Sequence, residues 1–134
     1  MITSMYPVLM STDVAATATF FRDAFALETV VEIDWYVSLR SGAFELAVLD
    51  ATHDSIPDGF RTAATGLLVN IEVEDVDAEH ERLVTRGGAL VAQELRSETF
   101  GQRHVILVAP GGVLVDVIQP IPITDPELLG TQGG

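Results

Sequence analysis

The chain has 134 residues, 48% of them hydrophobic, and seven Lys and Arg against 20 Asp and Glu leave a net charge of −13. That length supports one ordinary core burying roughly two-thirds of the unfolded surface, and the composition excludes a disordered chain. The acidic balance argues against nucleic acid or anionic lipid, which reward clustered Lys and Arg, and it suits a cationic small molecule; a solvated acidic surface is the plainer account.

No apolar run approaches the ~18 residues of a membrane helix. The opening MITSMYPVLMST has neither a basic n-region nor a convincing cleavage site, and the absence of cysteine removes disulfide and thiol chemistry. These features predict a cytoplasmic protein without a membrane partner.

In chain order, Met5 to Met10 predicts a short strand that Pro7 confines to an edge. Asp13 stands at an N-cap, and Val14, Ala18, Phe21 and Phe25 follow at helical spacing, predicting a helix from Val14 to Ala26. Thr29–Ile33, Trp35–Arg40 and Ala43–Leu49 read as strands. Residues 51–65 carry Pro, Gly and polar residues without periodicity and predict a linker. Leu67–Val73 is again a strand, and Asp75 repeats the cap ahead of Asp77 and Glu79, which suit the helix dipole. Gly87-Gly88 stops that helix. Ala89–Gln93 is a short strand. His104–Ala109 and Val113–Ile118 form a hairpin through Pro110-Gly111-Gly112. The tail 121–134 holds prolines and ends in Gly-Gly, which predicts a mobile or surface-lying segment.

The order is βαβββ twice. Asp13 and Asp75 stand 62 residues apart, so Tyr6 falls against Leu68 and Val8 against Asn70. FELAVL matches VLVDVI after a small gap, pairing Glu45 with Asp116. The expected fold is α+β: two βαβββ modules, residues 5–50 and 66–120, forming one single-domain curved mixed sheet with a cleft and helices on the outer face.

This repeat resembles the vicinal oxygen chelate superfamily of glyoxalases, bleomycin resistance proteins and extradiol dioxygenases. TFFRDAFALETV, DVDAEHERLVTRGG and GQRHVILVAPGGVLVDVIQP carry the resemblance, the last being similar to the family's G-x-R-x-F-x-x-x-D-P-x-G-N-x-x-E-L ending. The resemblance places metal ligands at Tyr6, Glu45, Leu68 and Asp116, the register of Glu45 being open by one residue. Leu68 cannot ligate a metal and Tyr6 is a poor replacement for imidazole, so neither a metal nor another cofactor is expected, and no catalytic residue is assigned.

A member of the family without its metal is similar to the antibiotic-sequestering resistance proteins. The resemblance then implies a homodimer whose cleft binds a hydrophobic or aromatic antibiotic or natural product. The candidate ligand-binding residues are Tyr6, Trp35, Tyr36, Glu45, Leu68, Asn70, Phe100, His104 and Asp116. Adjacent strand residues face opposite ways: if Trp35, Val37 and Leu39 pack under the helix, then Tyr36, Ser38 and Arg40 line the cleft, and the reverse register stays open. Trp35 is equally readable as core, and Asn70 as a satisfied interstrand amide. A cross-strand contact between His104 and Asp116 keeps an alternative alive, a glyoxalase-like lyase or isomerase using Glu45, His104 or Asp116 as acid and base. A third reading is a structural domain with a vestigial cleft.

Overall fold

The computed structural model describes residues 1–130. They form two compact units, Met1–Gly66 with Ala109–Gly112, and Leu67–Val108 with the described chain from Val113 onward. Each contains one four-stranded mixed sheet.

In the first unit, β1 (Val8–Ser11), α1 (Val14–Phe25), β2 (Glu28–Ile33), β3 (Tyr36–Ser41) and β4 (Phe44–Asp50) give a sheet of order β1-β4-β3-β2. The β1–β4 pair is parallel and the others antiparallel. Asp13 caps α1 by accepting from the Ala16 amide at 3.0 Å. Val14, Thr17, Ala18, Phe21 and Ala24 recur at helical spacing and are the buried stripe of α1. They pack on β3 and β4, whose Val37, Leu39, Leu46 and Val48 alternate onto that side and are buried with Leu9. Tyr36, Ser38, Arg40, Glu45, Ala47 and Leu49 therefore share the opposite face, on which Ser38 and Ala47 are themselves buried.

In the second unit, β5 (Leu68–Glu72), α2 (Val76–His80) with a π-helical continuation through Arg86, β6 (Val91–Glu98), β7 (Gln102–Val108) and β8 (Leu114–Pro120) repeat the plan as β5-β8-β7-β6. Asp75 caps α2 through the Ala78 amide at 3.1 Å. Gly87 ends the helical run because a Cβ there would lie 2.7 Å from the Leu83 carbonyl oxygen, and Gly88 turns the chain away at φ +70°. Val105, Leu107, Val115 and Val117 form the buried helix-side layer. Arg103 clasps Asp77 of α2 at 2.8 and 2.9 Å from the same side. The expected α+β architecture of two βαβββ modules is present, its strands hydrogen-bonded as one sheet per module.

Three local expectations change, and one open alternative is decided. Trp35 sits in the β2–β3 turn, 40% exposed and stacked on the His53 ring at 3.9 Å, so it is not core. Strand β6 runs on to Glu98, well past the expected Gln93, because β7 offers a partner as far as Gln102. Of the two alternatives for the tail, residues 121–130 follow the surface-lying one: the amides of Ile121, Thr124 and Asp125 donate to the carbonyls of Gly101, Thr99 and Thr99. A short helix α3 (Pro126–Leu129) follows, and the Gly-Gly end lies outside the described residues. Finally, the ladders place Val8 opposite Ala47 and Asn70 opposite Asp116. With Val8 equivalent to Asn70, the register counterpart of Asp116 is Ala47, and that of Glu45 is Leu114. Matching by residue type across a gap paired two acids that the backbone does not.

Candidate functional site

The open face of the first sheet gathers Tyr6, Tyr36, Ser38 and Glu45. Ser38 Oγ donates to Glu45 Oε1 at 3.3 Å across the β3–β4 pair. Burial first, then the neighbouring Tyr6 hydroxyl and the Glu45 charge, hold the Tyr36 phenol above its ordinary value, with Ser38 opposing. It therefore stays neutral throughout the physiological range. Tyr36 thus lies on the face away from α1, the register in which Val37 and Leu39 pack under the helix. Glu45 is on that face as well, and Leu46 is beneath it. Trp35 stands apart from this group, in its turn with His53.

The open face of the second sheet is ionic. His104 and Asp116 are 4% and 3% exposed, and His104 Nδ1 lies 2.7 Å from Asp116 Oδ1 across β7 and β8. The other ring nitrogen, Nε2, lies 3.0 Å from Glu98 Oε2. The ring thus lies between two carboxylates, with one nitrogen in hydrogen-bond reach of each. Hydrogen bonds from His104, then from Arg96, hold the Glu98 carboxyl below its ordinary value. Arg96 reaches Glu98 at 3.1 Å, and the Gln93 amide oxygen, turned toward Arg96, accepts from Nε at 3.0 Å. Phe100 sets its ring edge-on to His104 at a centroid distance of 6.0 Å. Asn70 is opposite Asp116 on β5, and Leu68 is one pleat away opposite Leu114; both are exposed.

Arg96 and Glu98 lie beyond the strand expected from the sequence, which ends at Gln93. The signal that finds them is the requirement that an antiparallel partner extend as far as β7 does.

The resemblance implies a metal at Tyr6, Glu45, Leu68 and Asp116, and the side chains do not fit one. Leu68 has no donor atom, and the Asp116 carboxylate is engaged by an imidazole in a buried pair. The His104 ring separates Asp116 from Glu98, so these donors do not converge, and among the described residues no three His, Cys, Asp or Glu side chains are arranged to hold an ion. Among the described residues, no helix is long and apolar enough to cross a membrane.

Two modules of strand, Asp-capped helix and three strands, each with its first strand parallel to its last, define the paired βαβββ class of α+β proteins. The chain belongs to the Glyoxalase/Bleomycin resistance protein/Dioxygenase superfamily, whose family profile matches residues 5–117. Solved structures agree on the fold. A lactoylglutathione lyase from Agrobacterium tumefaciens is 23% identical, with a TM-score of 0.71 over 88% of this chain and 94% of the other. TioX from Micromonospora sp. ML1 is 20% identical, with a TM-score of 0.69 over 90% and 100% of the two chains. A glyoxalase/bleomycin resistance protein/dioxygenase family enzyme from Burkholderia phytofirmans PsJN is 14% identical, with a TM-score of 0.73 over 87% and 97%. No curated protein sequence matches significantly.

Proposed function

We propose that this protein is a non-catalytic, homodimeric binding protein that sequesters a hydrophobic, aromatic small molecule and so protects its host from a drug or natural product. The observation that carries the reading is the fate of Asp116. At the position where the resemblance expects a metal ligand, the carboxylate is locked to His104, and Leu68 beside it offers only hydrocarbon. What the sheets present to a ligand is apolar and aromatic surface with a few oriented polar groups, the ordinary make-up of a small-molecule site. In the first unit the polar and aromatic groups of this kind are Tyr6, Tyr36 and Glu45; in the second, taken by itself, they are Asn70 and Phe100 beside the His104–Asp116 pair. Isothermal titration with a panel of planar aromatic antibiotics tests it. The expected result is at least one complex tighter than ~10 μM, and a panel without one removes the reading.

One observation favours a second reading. A histidine 2.7 Å from a buried carboxylate is also an acid–base pair, as a lyase or isomerase requires. Lactoylglutathione turnover that disappears in the His104→Gln variant, while folding is retained, would favour this reading over sequestration.

A further inference from the structure

Residues 51–65 leave and rejoin the first unit beside β1. The Ala51 amide donates to the Ser11 carbonyl at 2.9 Å, and the Ala64 amide to the Met10 carbonyl at 2.8 Å. The segment is thus a compact surface loop whose ends lie close together. Within it Ile56 is buried, and Arg61 ties the loop to itself, Nε donating to the Ile56 carbonyl at 2.7 Å and Nη2 to the Asp54 carbonyl at 3.3 Å. The Phe60 amide closes a turn at its tip on the Pro57 carbonyl at 3.1 Å. Asp58 and Gly59 are the two central residues of that turn.

Asp54 and Asp58 stand in this loop under different conditions. Their side chains are 91% and 94% exposed, so solvent reaches both carboxylates. What separates them is the amide that follows each. The Ser55 amide donates to His53 Nδ1 at 3.1 Å, on a ring stacked against Trp35. The Gly59 amide meets no acceptor among the described residues. A Cβ placed on Gly59, at φ +87°, would find nothing within 4 Å, so the Asp58–Gly59 peptide has space to rotate and no side chain to carry with it. Asp50 resembles Asp54, because Ser11 takes the Ala51 amide that follows it. Asp125 precedes Pro126, which has no N–H.

We propose that Asp58 is a site of spontaneous covalent modification, isomerising through a succinimide to isoaspartate in the folded chain. The Gly59 nitrogen attacks Cγ of Asp58, and a C–N bond forms. One carboxylate oxygen leaves as water with the amide proton and a proton from solvent. Water then opens the ring, and the new carboxylate returns a proton on ionising. Opening at Cγ restores aspartate. Opening at the main-chain carbonyl carbon breaks its bond to nitrogen and leaves the chain running through Cβ and Cγ, with a carboxylate on Cα. Mass is unchanged, but the Pro57–Phe60 turn gains a methylene, and the carboxylate oxygen now 3.0 Å from Arg61 Nη1 is moved.

Ageing the full chain at neutral pH and physiological temperature tests this, with peptide mapping by electron-transfer dissociation to tell isoaspartate from aspartate. The expected result is isoaspartate at Asp58 ahead of every other aspartate, Asp54 included. Gly59→Ala, which sets a Cβ beside the attacking nitrogen, slows it severalfold, and Asp58→Asn, with ammonia as leaving group, speeds it. A parallel sample aged in guanidinium chloride lacks the His53–Ser55 bond, and there Asp54 gains on Asp58.

Isoaspartate appearing first at another aspartate, or as fast in Gly59→Ala as in the parent, overturns the proposal. A rate at Asp58 an order of magnitude lower in the folded than in the unfolded chain also overturns it, because the turn then protects the bond. An Asp54-to-Asp58 ratio that unfolding leaves unchanged assigns the difference to sequence alone and removes the structural ground.

Discussion

At one register of the two sheets, the first module sets Val8 beside Ala47 and the second sets Asn70 beside Asp116. The same comparison extends outward: Tyr36 and Leu49 in the first stand where His104 and Ile118 stand in the second. One face carries tyrosine and aliphatic side chains beside a row of Glu28, Arg40 and Glu45. The other is a chain of hydrogen-bonded ionisable side chains from Asp116 through His104 to Glu98 and Arg96. Meanwhile the Asp-capped helix and the parallel first-to-last strand pair are common to both. Features that satisfy the backbone have been kept by both modules, because every buried amide and carbonyl must be paired. The open faces carry no such obligation and have diverged to different chemistry.

The largest expected break of this comparison is His104→Ala. It strands Asp116 at 3% exposure without its partner, which costs about 3–5 kcal/mol by denaturant titration. His104→Leu with Asp116→Leu turns the second face apolar like the first and should cost far less than the single change, because no uncompensated charge remains. A single variant as stable as the parent would show that the pair carries no structural load.

A smaller effect sharpens the kinship. Ala26 ends α1 at φ +52°, and 62 residues later Gly88 follows the helical run of the second module at φ +70°. The left-handed region penalises any residue with a Cβ. Ala26→Gly should therefore stabilise by about 0.5–1 kcal/mol, and Gly88→Ala, with nothing within 4 Å to clash, should destabilise by about 1 kcal/mol. Thermal midpoints moving in the same direction for both would break the equivalence.

The smallest effect concerns pH. Because His104 and Arg96 depress the Glu98 carboxyl in the folded chain, its stabilisation is present above the ordinary glutamate value and is lost as pH falls through the depressed one. Glu98→Gln should flatten the acid limb of a plot of thermal midpoint against pH and leave the neutral limb's slope alone. A parallel acid limb would mean that Glu98 titrates alike in both states.

The two helix caps, the double glycine stop and the βαβββ order were legible in the sequence because each is decided within a few residues. Interstrand register was not. The assignment of Glu45 to Asp116 relied on residue type, whereas the ladder is fixed by where β1 and β5 enter, and Glu45 is one pleat from that place. Strand alternation placed Tyr36 on one face or the other according to where Val37 and Leu39 went, and their burial decides it. The same alternation misled at Trp35, which the turn removes from the strand altogether. His104 and Asp116 were readable as neighbours on paired strands. Glu98, the far end of their chain, depended on how far β6 is drawn out by its partner, and no local pattern encodes that length.

Strand β2, with Val31 and Ile33, is the outer edge of its sheet and is exposed along its whole length. An apolar edge of this kind invites other chains to add themselves strand by strand into an open-ended stack. Val30 interrupts the ladder between Thr29 and Val31, and Glu28 and Glu32 charge the same strand. A kinked, acidic border discourages that addition, so the resistance of this edge to stacking depends on two glutamates and one misfit valine.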